Sequence, residues 1–185
     1  MAAVLAVCTG NVCRSPAVEL LLARALDVEV ASAGTRAVEG SPVSPETAAL
    51  LAADGLDAGG LRARRLTAPM LREARLVLVM TTAHRAAVVE EVPAALRRTF
   101  TLREATCLLD HVPLGELEAL RALRGLARVD ALVAALQRAR TLASGALVGA
   151  DLDVEDPWGR PREVYERVHA RIRAEVAALL SALGA

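Results

Sequence analysis

Residues 2–22 read AAVLAVCTGNVCRSPAVELLL, and this one stretch sets the architecture. Ala2–Val7 is an unbroken apolar run that stops abruptly at Cys8-Thr9-Gly10-Asn11. A short apolar run without polar alternation suits a strand covered on both faces, as in a parallel sheet. Beyond it, Ser15 and Pro16 read as a helix start, with Ser as the cap and Pro at the first helical position. AVELLLARAL then continues with helical periodicity.

The same alternation recurs along the chain. Val28–Ala33, bounded by Gly34, reads as a second strand, and Pro45–Asp54 as a helix stopped by Gly55. Leu76–Met80 is the strongest strand signal, followed by a helix over Thr82–Glu91 and a short fourth strand at Thr99–Leu102. This order predicts an α/β fold, a four-stranded parallel sheet flanked by helices with right-handed crossovers. From Leu114 to about Ala146 the chain is rich in Ala, Leu and Arg and reads as two helices broken near Gly125. Gly145, Gly149 and the acidic DLDVEDPWG then form a loop, and Arg162–Leu183 a long closing helix. The simplest organisation is one domain over 1–185, with about 110–150 as a helical insertion.

Composition narrows the partners. Basic and acidic residues number 22 each, so the net charge is zero, which removes the electrostatic case for nucleic acid or an anionic membrane surface. Leu76–Met80, the longest aliphatic run, is far too short to span a bilayer. The opening MAAVLAVC lacks the cationic start of a secretory signal. A soluble cytoplasmic protein is expected. Every basic residue is Arg, which fits a GC-rich coding bias and deprives Arg clusters of functional meaning. Against that bias the sole Asn, Asn11, and the sole Trp, Trp158, carry information. Cys8, Cys13 and Cys107 are an odd set that reads as reduced thiols. His84, His111 and His169 are scattered singly, so no metal or other cofactor is expected.

The chemistry concentrates in residues 8–15. A loop at the carboxyl end of a parallel strand, running into a helix N-terminus, is a natural anion site. Gly10 permits a tight turn that aims amides inward, and Arg14 offers a planar fork for two phosphate oxygens. The same dipoles and cation favour a thiolate at Cys8, to which Ser15 can donate a hydrogen bond. A thiolate on the floor of an oxyanion cup implies attack on phosphorus and a phosphocysteine intermediate.

CTGNVCRSPAVELLL resembles the phosphate-binding loop of the low-molecular-weight protein tyrosine phosphatases. ASAGT at 31–35, the Gly40/Pro42/Pro45 pattern, RARRLTAPM and LVLVMTTAH are similar to bacterial members, through about residue 106 and again from Glu155 onward. The resemblance implies Cys8 as nucleophile, Arg14 as the phosphate-binding cation, Ser15 as support for the thiolate and Asn11 as the residue holding a strained loop. Thr9, Gly10, Val12 and Cys13 complete the phosphate cup. It also implies an Asp-Pro acid on a late loop, which Asp156-Pro157 supplies, with Asp151 and Asp153 as second choices. An acid there protonates the leaving oxygen and later activates water. Trp158 would line the substrate crevice and stack on the phosphotyrosine ring. Relatives form a reversible disulfide within this loop, which for Cys8 and Cys13 would protect the nucleophile from over-oxidation.

Two features depart from the family pattern. Leu61 stands where relatives have a His that supports the loop Asn, so Asn11 requires another support. The segment about 110–150 is longer than the compact family pattern, and would shape the rim of the cleft or an interface. The implied activity is hydrolysis of phosphotyrosine on proteins or peptides. Protein-arginine phosphatases share the loop but typically carry Thr at the position of Val12, which favours the aryl ester here. Thioredoxin-coupled arsenate reductases need a relay of further Cys that Cys13 and Cys107 do not supply. A non-catalytic phosphate-binding module would need neither thiolate nor acid. No sequence feature selects an oligomeric state.

Overall fold

Four strands, β1 (Val4–Cys8), β2 (Val30–Gly34), β3 (Leu76–Val79) and β4 (Thr99–Thr101), pair in the order β2-β1-β3-β4 in the computed structural model. It describes residues 2–143, 145 and 147–185. All three pairings are parallel, with Cys8 opposite Gly34, Val7 opposite Val79 and Val79 opposite Thr101. The four-stranded parallel sheet is therefore as the sequence predicts. The chain leaves β1 toward β2 on one side and returns to β3 on the other. Strand order thus reverses about β1, and a crevice opens beyond the carboxyl ends of β1 and β3.

Eight helices are present among the described residues. They are α1 (Arg14–Ala23), α2 (Pro45–Ala53), α3 (Ala68–Glu73), α4 (Thr82–Glu91), α5 (Leu102–Leu109), α6 (Leu114–Ala122), α7 (Gly125–Leu142) and α8 (Arg162–Leu183). The helices expected at 82–91 and 162–183 match residue for residue, and the pair broken near Gly125 is α6 and α7. Ala146, the expected end of that pair, lies outside the described residues. One expectation fails. Ser15 is not the cap of α1, because the helix begins one residue earlier and Cys13 occupies the cap position without a side-chain cap bond. The Ser15 hydroxyl is turned instead toward Cys8. The sequence reading also passed over α3, α5 and a 3-10 turn at Pro93–Arg98.

Alternation along β1 divides the core. Val4, Ala6 and Cys8 face a layer built from α1, α5, α7 and α8, together with Leu78, Phe100, Leu108, Leu136 and Ile172. Leu5 and Val7 face the opposite layer, with Val77, Val79, Leu71 of α3 and Val88 of α4. With so few aromatics the interior is aliphatic, each fully buried Leu or Ile contributing about 1.5–3 kcal/mol. The insertion belongs to this core, since Leu120, Leu132, Leu136 and Ala139 are buried in it. Arg140 of α7 stacks 4.0 Å over the Phe100 ring and bonds the buried Glu104 carboxylate at 2.9 Å. Arg85 takes the other Glu104 oxygen at 2.9 Å, so this buried charge is paired twice. Among the described residues no helix is long and apolar enough to cross a membrane.

Candidate active site

At the end of β1 the chain must turn at once into α1, and it does so through one residue in left-handed conformation, Asn11 at φ 56°. Asn is one of the few side-chain-bearing residues that tolerates this region. The turn aims the Asn11 amide back at the Cys8 sulfur, N to Sγ 3.3 Å, and the Ser15 Oγ stands 3.1 Å from the same atom. Cys8 is buried on the cup floor.

Asn11 is itself held on every side. Its Nδ2 donates to Ser15 Oγ at 2.9 Å and to Ser32 Oγ at 2.7 Å, and its Oδ1 accepts from the Arg64 amide at 2.8 Å. The support missing at Leu61 is therefore supplied by two serines and a backbone group, while Leu61 packs partly buried against the core. Behind them Ser32 Oγ donates to Glu19 at 2.5 Å. Burial pushes the Glu19 carboxyl up, against the pull of the Ser32 bond and the nearby Arg64 charge.

Arg14 enters the cup from the first turn of α1 and is almost wholly buried. Its Nη1 donates to the Val154 carbonyl at 3.0 Å, and its Nη2 to Asp156 Oδ2 at 2.5 Å and Thr9 Oγ1 at 3.4 Å. Its Nε is buried without a hydrogen-bond partner among the described residues. α1 has no acidic residue in its first turn and no side-chain cap, unlike α2, α4 and α5, which Ser44, Thr81 and Thr101 cap. Its first amides have no intrahelical acceptors and suit an anion.

The late loop arrives over this cup because the Val154 amide bonds the Met80 carbonyl at 2.8 Å and Asp153 Oδ1 accepts from the Thr82 amide at 2.7 Å. Asp153 thus holds the start of α4, and Asp151 pairs with Arg103, whose bond holds its carboxyl below the usual range. Neither second-choice acid lines the cleft. Asp156 does, in a crevice of about 450 Å³ that also takes in Cys8, Thr9, Gly10, Val12, Cys13, Arg14 and Trp158. Asn11 and Ser15 stand behind the lining as supports. Trp158 is 63% exposed on one rim, and Val38, Pro42 and Val43, none of which the sequence assigns to the site, form an apolar wall joined by Arg36. No described residue of 110–150 lines the crevice, so the insertion does not shape its rim.

Cys8, Cys13 and Cys107 are all free thiols. Burial pushes the Cys13 thiol up, although its Sγ donates to Ser44 Oγ at 3.4 Å. Cys107 sits on α5 away from the crevice.

Residues 3–110 match the low molecular weight phosphotyrosine protein phosphatase family. The chain belongs to that family. It is 38% identical over 102 residues to a probable low molecular weight protein-tyrosine-phosphatase, EpsP, of Ralstonia nicotianae, which covers 55% of this chain and 70% of the relative. It is 32% identical over 164 residues to a protein-arginine-phosphatase of Geobacillus stearothermophilus, covering 88% of this chain and 82% of the relative. Among solved structures, the Geobacillus stearothermophilus arginine phosphatase YwlE superposes with a TM-score of 0.69 at 30% identity, covering 100% of this chain and 94% of that one. The Erwinia amylovora tyrosine phosphatase AmsI gives 0.71 at 24% identity, covering 100% and 95%, and shows the shared fold. The protein is a phosphatase of this class, a phosphoric monoester hydrolase working through a phosphocysteine intermediate.

Proposed function

We propose that this phosphatase hydrolyses phosphotyrosine on proteins, with Cys8 as nucleophile, Arg14 as the phosphate-binding cation and Asp156 as general acid. The observation that carries the reading is the convergence of these three on one crevice, with the Arg14 guanidinium bonded to Asp156 and its buried Nε unpaired. An incoming phosphate takes Arg14 Nε and competes with Asp156 for Nη2. That releases the Asp156 carboxyl to meet the leaving group. Freed from Arg14, the Asp156 carboxylate takes up a proton from solvent. The Cys8 thiolate attacks phosphorus, the bond from phosphorus to the phenolic oxygen breaks, and Asp156 delivers that proton to the oxygen. Water then attacks the phosphocysteine, Asp156 takes the water proton, and phosphate leaves with Cys8 restored.

The walls favour an aryl group. Val12, Val38, Pro42, Val43 and Trp158 line the same crevice, so a phenyl ring would gain burial and stacking there. Two cations, Arg14 and Arg36, line the same space, and the one carboxylate there is already bonded to Arg14. A phosphoarginine guanidinium would lose its water beside those cations, with Asp156, once released from Arg14, as the one carboxylate to receive it. The second reading is arginine phosphatase, favoured by likeness to the Geobacillus enzyme along most of the chain. Turnover of phosphotyrosine and phosphoarginine peptides, side by side, with wild type and Cys8→Ser decides between them. Cys8-dependent preference for phosphotyrosine supports the proposal, and preference for phosphoarginine overturns the substrate while keeping the mechanism. Phosphate binding without turnover of either would point to a binding module.

A further inference from the structure

His84 has no place in the reaction as written, yet it is one of the most constrained polar side chains near the cup. It is the third residue of α4 and only 7% exposed. Because β1 and β3 are neighbours in the sheet, the loops that follow them run side by side, and the ring fits between two threonines. Its Nε2 is 2.9 Å from Thr9 Oγ1 and its Nδ1 is 2.8 Å from Thr81 Oγ1. Thr81 is also the cap of α4, its Oγ1 accepting from the His84 amide at 3.2 Å, which fixes the ring from its own backbone. Thr9 in turn accepts from Arg14 Nη2.

Hydrogen accounting gives this row a direction. Arg14 carries donors only, so Thr9 Oγ1 must accept from it. The Thr9 O–H dipole is lowest in energy pointing away from that cation, toward Nε2, and the ring proton then sits on Nδ1 and is given to Thr81. Each bond in such a row strengthens the next. A neutral ring is what the row requires. Burial and the Arg14 charge push the His84 pKa down to about 4, against weaker opposing pulls from Asp156 and Asp153.

We infer that His84 is a positioning residue for the phosphate-binding arginine, acting through Thr9. The Thr9 hydroxyl, held on one side by His84, presents its lone pairs to Nη2. That contact, with the Val154 carbonyl on Nη1, fixes the guanidinium plane at the cup. Without His84 the Thr9 hydroxyl is free to rotate, and the arginine keeps Val154 and Asp156 but loses its third restraint. The inference rests on Arg14 as the phosphate-binding group, and is independent of which phosphorylated residue is the substrate.

The test is inhibition by inorganic phosphate together with kcat and KM on an activated aryl phosphate, for His84→Leu, His84→Gln, Thr9→Val, the Leu/Val double variant and Arg14→Ala. One restraining hydrogen bond corresponds to roughly a three- to tenfold change. His84→Leu and Thr9→Val should each weaken phosphate inhibition and raise KM by that factor, with kcat changed much less. His84→Gln, whose amide reaches Thr9, should recover most of the loss. The double variant should be no worse than either single one, because both cut the same row. A purely structural role at the start of α4 would lower the folded fraction and kcat while leaving phosphate inhibition unchanged, and that result overturns the inference. So does a double variant whose losses multiply, or a Gln variant as impaired as Leu. If His84→Leu does not fold, Thr9→Val with unaltered phosphate inhibition overturns it equally. Unaltered inhibition in Arg14→Ala would instead refute the reading of the cup itself.

Discussion

The conformation of Asn11 permits a stability experiment that separates backbone strain from side-chain bonding. At φ 56° the residue is left-handed, and its side chain makes three bonds, to Ser15, Ser32 and the Arg64 amide. Asn11→Gly removes all three bonds but suits the backbone. Asn11→Ala removes them and adds the left-handed cost of a Cβ. At about 1 kcal/mol per bond, with the part-buried Arg64 amide left without this acceptor, the Gly variant should lose about 3 kcal/mol. The Ala variant should lose about 1 kcal/mol more, because only Gly visits this region freely. Urea unfolding reads both values from the midpoints, provided the slopes stay those of the wild type. Both variants keep the backbone amide that donates to Cys8 Sγ but lose the side-chain bonds that hold it and Ser15 in place, so turnover should fall as well. An Ala variant more stable than the Gly variant would refute the strain argument. Losses below about 0.5 kcal/mol in both would refute the bonding argument, because changes that small are typical of plain surface sites.

Other outcomes follow from the same geometry. Asp156→Ala should slow aryl phosphates with poor leaving groups far more than activated ones, because only the former need a proton in the transition state; equal losses on both would remove Asp156 from the acid role. The depressed His84 pKa makes stability depend on pH. Its folded value of about 4 lies below its ordinary 6.5, so the folded state binds fewer protons between them. Stability is therefore full above pH 6.5 and falls as pH drops toward 4, by roughly 3 kcal/mol in all, a slope that His84→Gln should lack. Unfolding curves of equal pH slope in the two proteins would contradict this. Because burial pushes the Cys13 thiol up, its thiolate should attack an oxidised Cys8 sulfenic acid slowly, with loss of water, and faster as pH rises. Peptide mapping after peroxide reads the linked product, and a rate independent of pH would show that Cys13 does not react as the thiolate.

How much of this was legible in the sequence depends on how local each feature is. β1, its loop and α1 were readable because an apolar run, Gly10 and a Pro-led helix lie in consecutive residues. α5 carries a local signal too. TLRE at 101–104 is a capping box, and both of its bonds are made, but the helix follows β4 with no intervening loop to announce it. α3 is short and has no side-chain cap bond. Ser15 was misread as a cap because Ser before Pro carries that signal locally, whereas its hydroxyl is drawn to Cys8 and Asn11. The Asn11 cradle draws on Ser15, Ser32 and Arg64, which no sequence spacing connects. His84 was one of three scattered histidines until β1 and β3 became neighbours. Asp156 and Arg14 are 142 residues apart, and what joined them in the sequence was the family resemblance rather than any spacing rule.

Hydrolysis by this route requires a phosphoryl group to pass through Cys8. Asp156→Ala should lose the group that activates water, so the intermediate should accumulate. Mixing that variant with an activated aryl phosphate, quenching in acid and mapping peptides by mass spectrometry should place one added phosphoryl group on the Cys8 peptide, and none in the Asp156→Ala/Cys8→Ala double variant. Turnover that persists in Cys8→Ala, or a phosphoryl group found on any other residue, would contradict it.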